Sequence, residues 1–122
     1  MKVSFDFDDT LDREDVQHIA RQILTGTDID VWVVTARLPD KKAPLDNWNE
    51  DLWFVCQNLG IPKSNVIFTS YSSKHEFFWE KHFLFHLDDD PEELRMIEAM
   101  TDTIAINSLE PTWKKQILKL IK

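Results

Sequence analysis

A single cysteine, Cys56, is present among 122 residues, which rules out an intramolecular disulfide and leaves no cysteine–histidine spacing of the zinc-site kind. A reducing compartment, the cytoplasm by default, is the expected location. Glycine is nearly missing: Gly26 and Gly60 are the whole complement, too few for the glycine-rich phosphate loop of a kinase. Basic residues are outnumbered, with 14 Lys and Arg against 22 Asp and Glu and a formal charge of −8. That balance opposes non-specific attachment to nucleic acid or to anionic membranes, so a phosphate-bearing partner needs a local basic patch or a bound cation. No apolar run approaches membrane-spanning length, and the first residues, Met1 to Asp6, are apolar over too short a stretch to read as a signal peptide. A soluble chain without a membrane partner is expected.

What remains has the composition of a globular domain. Hydrophobic residues make up 43% and charged residues 30%, with 5 Trp and 8 Phe as bulky core material. The length suits one domain over residues 1–122. Runs at 3–7, 29–35, 66–68, 83–87 and 103–106 read as buried strands, and the proline-containing stretch 38–44 as a loop. A helix is expected over 14–24, where Val16, Ile19, Ala20, Ile23 and Leu24 recur at helical spacing with Gly26 as a stop. A second spans 47–59, closed by Gly60, and stretches 74–82, 91–100 and 111–121 complete five. Alternation of such strands with helices predicts an α/β fold, a single Rossmann-like three-layer domain around a parallel sheet of about five strands.

Ligands of open parallel sheets bind beyond the carboxyl ends of the strands, where strand order reverses. Those ends are acidic here: Asp6, Asp8 and Asp9 follow the first strand, Thr35-Ala36-Arg37 the second, and Asp88-Asp89-Asp90 the fourth. Carboxylates converging on one edge repel one another unless a cation holds them, and oxygen-only donors favour a hard ion such as Mg²⁺.

Phe5-Asp6-Phe7-Asp8-Asp9-Thr10-Leu11, Val33-Val34-Thr35-Ala36-Arg37, a lysine ahead of the penultimate strand and Leu87-Asp88-Asp89 resemble, in order and context, the four motifs of the haloacid dehalogenase superfamily of phosphohydrolases, within residues 3 to 90. The resemblance implies a Mg²⁺-dependent phosphomonoesterase working through an aspartyl-phosphate. Asp6 would be the nucleophile, and Asp8 would protonate the departing oxygen and then activate water. Superfamily members that hydrolyse ATP for transport lack the second carboxylate, so Asp8 favours a phosphatase. Thr35 corresponds to the hydroxyl that hydrogen-bonds a phosphoryl oxygen, and Lys74 to the cation that offsets charge around the nucleophile. Lys63 and Lys81 lie in the same interval, and Lys74 is preferred for its place at a helix start. Asp90-Pro91-Glu92-Glu93 reads as a helix start with Asp90 as its cap, which leaves Asp88 and Asp89 as the metal pair. Asp6, the Asp8 carbonyl and water would complete the coordination.

Superfamily members usually shield the site with an inserted cap domain, and neither insertion slot has room here. A capless member with an open site would admit a bulky substrate or rely on a partner, or a second copy, for closure. Residues 74–82 leading into Phe85-His86-Leu87-Asp88-Asp89 also resemble the phosphatase domain of bifunctional polynucleotide kinase phosphatases. This similarity implies removal of 3′-phosphates from nucleic acid ends. Free nucleotides are the next substrate class, and a non-catalytic binding module of the same fold is the rival. Arg37, Lys41 and Lys42 are the candidates for contacting a substrate backbone. His18, His75, His82 and His86 read as surface or core-edge groups, Cys56 as core, and most aromatics as packing, with Trp48 kept as a possible base contact.

Overall fold

Short runs dense in Val, Ile and Phe have almost no polar side to offer water, so the chain covers them with helices above and below. The computed structural model describes all of residues 1–122. Strands β1 (Lys2–Phe5), β2 (Asp30–Thr35), β3 (Val66–Phe68), β4 (Phe83–Asp88) and β5 (Ile104–Asn107) form one parallel sheet of order β3-β2-β1-β4-β5. Helices α1 (Glu14–Gly26), α2 (Glu50–Leu59), α3 (Pro91–Met100) and α4 (Trp113–Leu120) flank it. The single Rossmann-like α/β domain is the one the sequence implies. No helix is long and apolar enough to cross a membrane.

The two faces of the sheet are filled unequally. Val3, Phe5, Val33, Phe85 and Leu87 join side chains of α1, α2 and α4 in the main core, Cys56 among them. A smaller cluster gathers Val34 and Phe83 with Phe78 and Ile97 of α3. β4 carries one extra residue against β1: Lys2 pairs with Phe83 and Ser4 with His86. Such a bulge shifts side-chain alternation by one, so Phe83 and His86, three positions apart, share a face. The Phe78 ring stands 5.0 Å from that of Phe83 and 5.3 Å from that of His86.

Four α-helices form rather than five. The helix expected over 74–82 is a 3-10 turn, Lys74–Phe77, followed by irregular chain in which Glu80 and His82 take φ of 65° and 54°. Phe77-Phe78-Trp79 cannot all lie on one helical face; Phe78 is buried, while Trp79 is 72% exposed. Gly26 is the last residue of α1 and not its stop. The helix ends at Thr27, whose hydroxyl donates to the Ile23 carbonyl at 2.7 Å. The first strand stops at Phe5, two residues early, because the chain turns over Phe7–Leu11 with Asp9 at φ 60°.

Candidate active site

Strand order reverses between β1 and β4, and the carboxyl ends of these two strands bear Asp6 and Asp88. The Asp6 N–H donates to the Leu87 carbonyl at 2.8 Å, carrying the pairing one residue past β1 and fixing Asp6 beside β4. Lys74 enters from the turn after β3. Its Nζ lies 2.7 Å from Asp6 Oδ1 and 2.6 Å from Asp88 Oδ2, and all three side chains are buried. The Lys74 N–H is held by Glu93 Oε2 of α3 at 2.9 Å. Thr10 Oγ1 donates to Asp6 Oδ2 at 3.4 Å and lies 3.3 Å from Ser108 Oγ, while the Ser108 N–H donates to the Asp88 carbonyl. Above these groups opens a cleft of about 350 Å³ whose lining includes Asp6, Asp8, Lys74, Asp88 and Asp89.

Asp6, Asp88 and Asp89 each offer an oxygen, all within 4.8 Å of one another. An oxygen-only donor set of this kind fits a hard divalent cation such as Mg²⁺. Burial pushes the Asp6 carboxyl up to about 8, with Lys74 opposing and Asp88 adding to the rise. At Asp88 burial also pulls upward, but hydrogen bonds from His86 and Lys74 and the Lys74 charge outweigh it and hold the carboxyl below the usual range. Burial works against the Lys74 ammonium, and its two carboxylates overcome this and raise its value.

Beneath the cleft runs a buried chain that the sequence reading did not anticipate. His86 Nε2 lies 2.8 Å from Asp88 Oδ2, and His86 Nδ1 lies 2.8 Å from Ser4 Oγ on β1. Burial lowers the imidazole, although Asp88 opposes this. A neutral ring with Nε2–H donating to Asp88 and Nδ1 accepting from the Ser4 hydroxyl satisfies all four polar groups. His86 is thus a fully buried core residue rather than one at the core edge. A polar residue inside an apolar strand is itself a signal, because a buried ring must find a partner.

At the mouth of the cleft, Asp8 receives two hydrogen bonds from Arg37, at 3.1 and 2.7 Å. The same guanidinium donates to Asp51 of α2 at 2.7 and 2.9 Å and stacks 4.9 Å from the Phe7 ring. Arg37 therefore fastens the first turn to α2 instead of reaching into the cleft. Thr35 is fully buried; its hydroxyl accepts from the Arg37 N–H at 3.3 Å, and the neighbouring Ala36 lines the cleft in its place. Lys41 and Lys42 sit exposed on the turn Asp40–Lys42, outside the residues that line the cleft. Lys63 and Lys81 lie elsewhere, over the Trp53 and Trp32 rings. Asp90 caps α3, accepting from the N–H groups of Glu92 and Glu93, and its own N–H donates to Asp88 Oδ1 at 3.1 Å. No protein-family model and no curated protein matches the chain.

Proposed function

We propose that the protein is a Mg²⁺-dependent phosphomonoesterase of the haloacid dehalogenase type, acting through an aspartyl-phosphate on Asp6. The observation that carries this reading is Lys74 bridging Asp6 and Asp88 at 2.7 and 2.6 Å at the point where strand order reverses. Carboxylates gathered this closely serve a reaction that brings more negative charge among them only if cations meet it, and Lys74 supplies one charge at the attacking group. Mg²⁺, held by Asp6, Asp88 and Asp89, would offset the charge of the phosphoryl oxygens.

Asp6 attacks phosphorus, forming the acyl-phosphate bond as the ester P–O bond breaks, and Asp8 donates its proton to the departing oxygen. Water then attacks the same phosphorus, Asp8 takes its proton, and Asp6 leaves as a free carboxylate beside phosphate. With both Asp8 oxygens accepting from Arg37, one of those contacts must open before Asp8 can donate a proton. His86 and Ser4 hold Asp88, and Thr10 holds the second oxygen of Asp6. The resemblance in residues 74–89 points to 3′-phosphates on nucleic acid ends. The cation placement favours the smaller class, free nucleotides and related esters, because Arg37 is engaged by two carboxylates and Lys41 and Lys42 stand apart from the cleft. A cytoplasmic site of action accords with the lone cysteine, and closure of the open cleft by a partner or second copy belongs to the same reading.

Phosphate release with Mg²⁺ from mononucleotides and from 3′- and 5′-phosphorylated oligonucleotides tests this function. Asp6→Asn, checked for fold by circular dichroism, should abolish release, and EDTA should stop it until Mg²⁺ returns. Turnover retained in Asp6→Asn, or untouched by EDTA, would overturn the proposal.

A further inference from the structure

We infer that Tyr71 is a specificity-determining residue of this site, its ring stacking on a flat ring of the alcohol from which phosphate is cleaved, an assignment that rests on the phosphomonoesterase reading. Tyr71 is the single aromatic side chain lining the cleft that holds Asp6, Asp8 and Lys74, and Trp48 is not in that lining. In an in-line displacement the departing oxygen lies opposite the nucleophile and within hydrogen-bond reach of the acid that protonates it. With Asp6 attacking and Asp8 donating, the alcohol leaves past Asp8. The loop carrying Tyr71 is fastened to the segment that grips Asp8. The Tyr71 N–H donates to the Ala36 carbonyl at 2.8 Å and the Ser70 N–H to the Arg37 carbonyl at 3.2 Å, while the Arg37 guanidinium holds both Asp8 oxygens. Acid and ring thus line one cleft of about 350 Å³, at the small end for a ligand site.

The backbone at Tyr71 is a second, independent observation. Ser70 and Tyr71 follow one another at φ of 53° and 68°, a left-handed conformation that is costly for an L-residue and free for glycine. For a bulky side chain this geometry is an outlier. A buried ring could offset the cost by packing, but Tyr71 is 68% exposed and belongs to neither hydrophobic cluster. The fold therefore gains little from an aromatic residue here that glycine would not give it. Residues held in strained backbone gather at ligand-binding sites, where the strain places a side chain for its task. Here the strained turn sets the ring in the cleft lining, and a flat face open to solvent stacks well on another ring. A nucleoside presents such a ring; an aliphatic alcohol does not.

The experiment compares kcat/KM for 2-phenylethyl phosphate and n-butyl phosphate at fixed Mg²⁺. Both release primary alcohols of similar acidity, so ease of departure does not separate them. The phenylethyl ester should be favoured by roughly tenfold. Tyr71→Ala and Tyr71→Gly should bring that ratio towards one, and Tyr71→Phe should keep it. Tyr71→Gly should also leave Tm equal or raise it, because glycine adopts the left-handed backbone freely. Equal rates for the two esters, a ratio indifferent to Tyr71→Ala, or a lower Tm in Tyr71→Gly would overturn the role of Tyr71 while the phosphatase reading stands. Phosphate release from neither ester would overturn both.

Discussion

His86 stands two residues from Asp88 on the same strand, and its only polar contacts are Asp88 and Ser4. Removing the imidazole takes away one of the two donors on Asp88 Oδ2 and leaves Lys74 alone there, so His86→Leu should weaken Mg²⁺ binding by about tenfold. His86→Gln, which keeps an N–H in reach, should recover most of it. Calorimetric titration of Mg²⁺ reads this without turnover, and equal affinities in all three proteins would leave His86 a packing role alone. The sequence made Asp6, Asp8, Lys74, Asp88 and Asp89 legible because each belongs to a local pattern beside a strand end or helix start. His86 was hidden because its partner Ser4 lies 82 positions away in the chain, and because the bulge in β4 changes the face that alternation would give it. Thr35 ends β2 as expected, fully buried with its hydroxyl accepting from the Arg37 N–H; pattern identifies a strand-end hydroxyl but does not show which way its oxygen turns.

Elements whose boundaries are set by local chemistry were read closely. Asp90 and Pro91 start α3 as expected, and Gly60 ends α2 in a left-handed conformation at φ 85°. A Cβ at Gly60 would meet nothing within 4 Å, so the effect of Gly60→Ala is confined to the backbone. It should destabilise the protein by about 1 kcal/mol, seen as a lower Tm with catalytic rates unchanged. An unchanged Tm would show that the α2 terminus relaxes out of that conformation. The stretch 74–82 failed as a helix for a reason that pattern does not carry. Lys74 is drawn inward to two carboxylates and Phe78 is seated against Phe83 and His86, so tertiary contacts at both ends of the turn override its helical spacing.

Across the whole molecule, an excess of acidic residues surrounds a site that is itself acidic. The Asp6 carboxyl, pushed up to about 8 by burial with Lys74 opposing, holds its proton more tightly folded than unfolded. It therefore adds stability that is complete at acid pH and is lost as the pH rises towards about 8. Asp88, held low, acts in the opposite sense, and its contribution is lost only as the pH falls below the ordinary carboxylate value of 3.8. In EDTA, denaturant melts should show lower stability near pH 8.5 than near pH 5, roughly, and saturating Mg²⁺ should narrow the gap. Stability rising across that interval in EDTA would contradict the assignment of Asp6.

The ammonium of Lys74 reaches both buried carboxylates from a turn that closes only when β3, β4 and α3 have come together. The chain thus carries its own resident counterion and does not wait for one from solution to settle the charges at its centre. Assembly then has no need of loading: a metal held by Asp6, Asp88 and Asp89 would be an exchangeable visitor to a finished architecture rather than its scaffold.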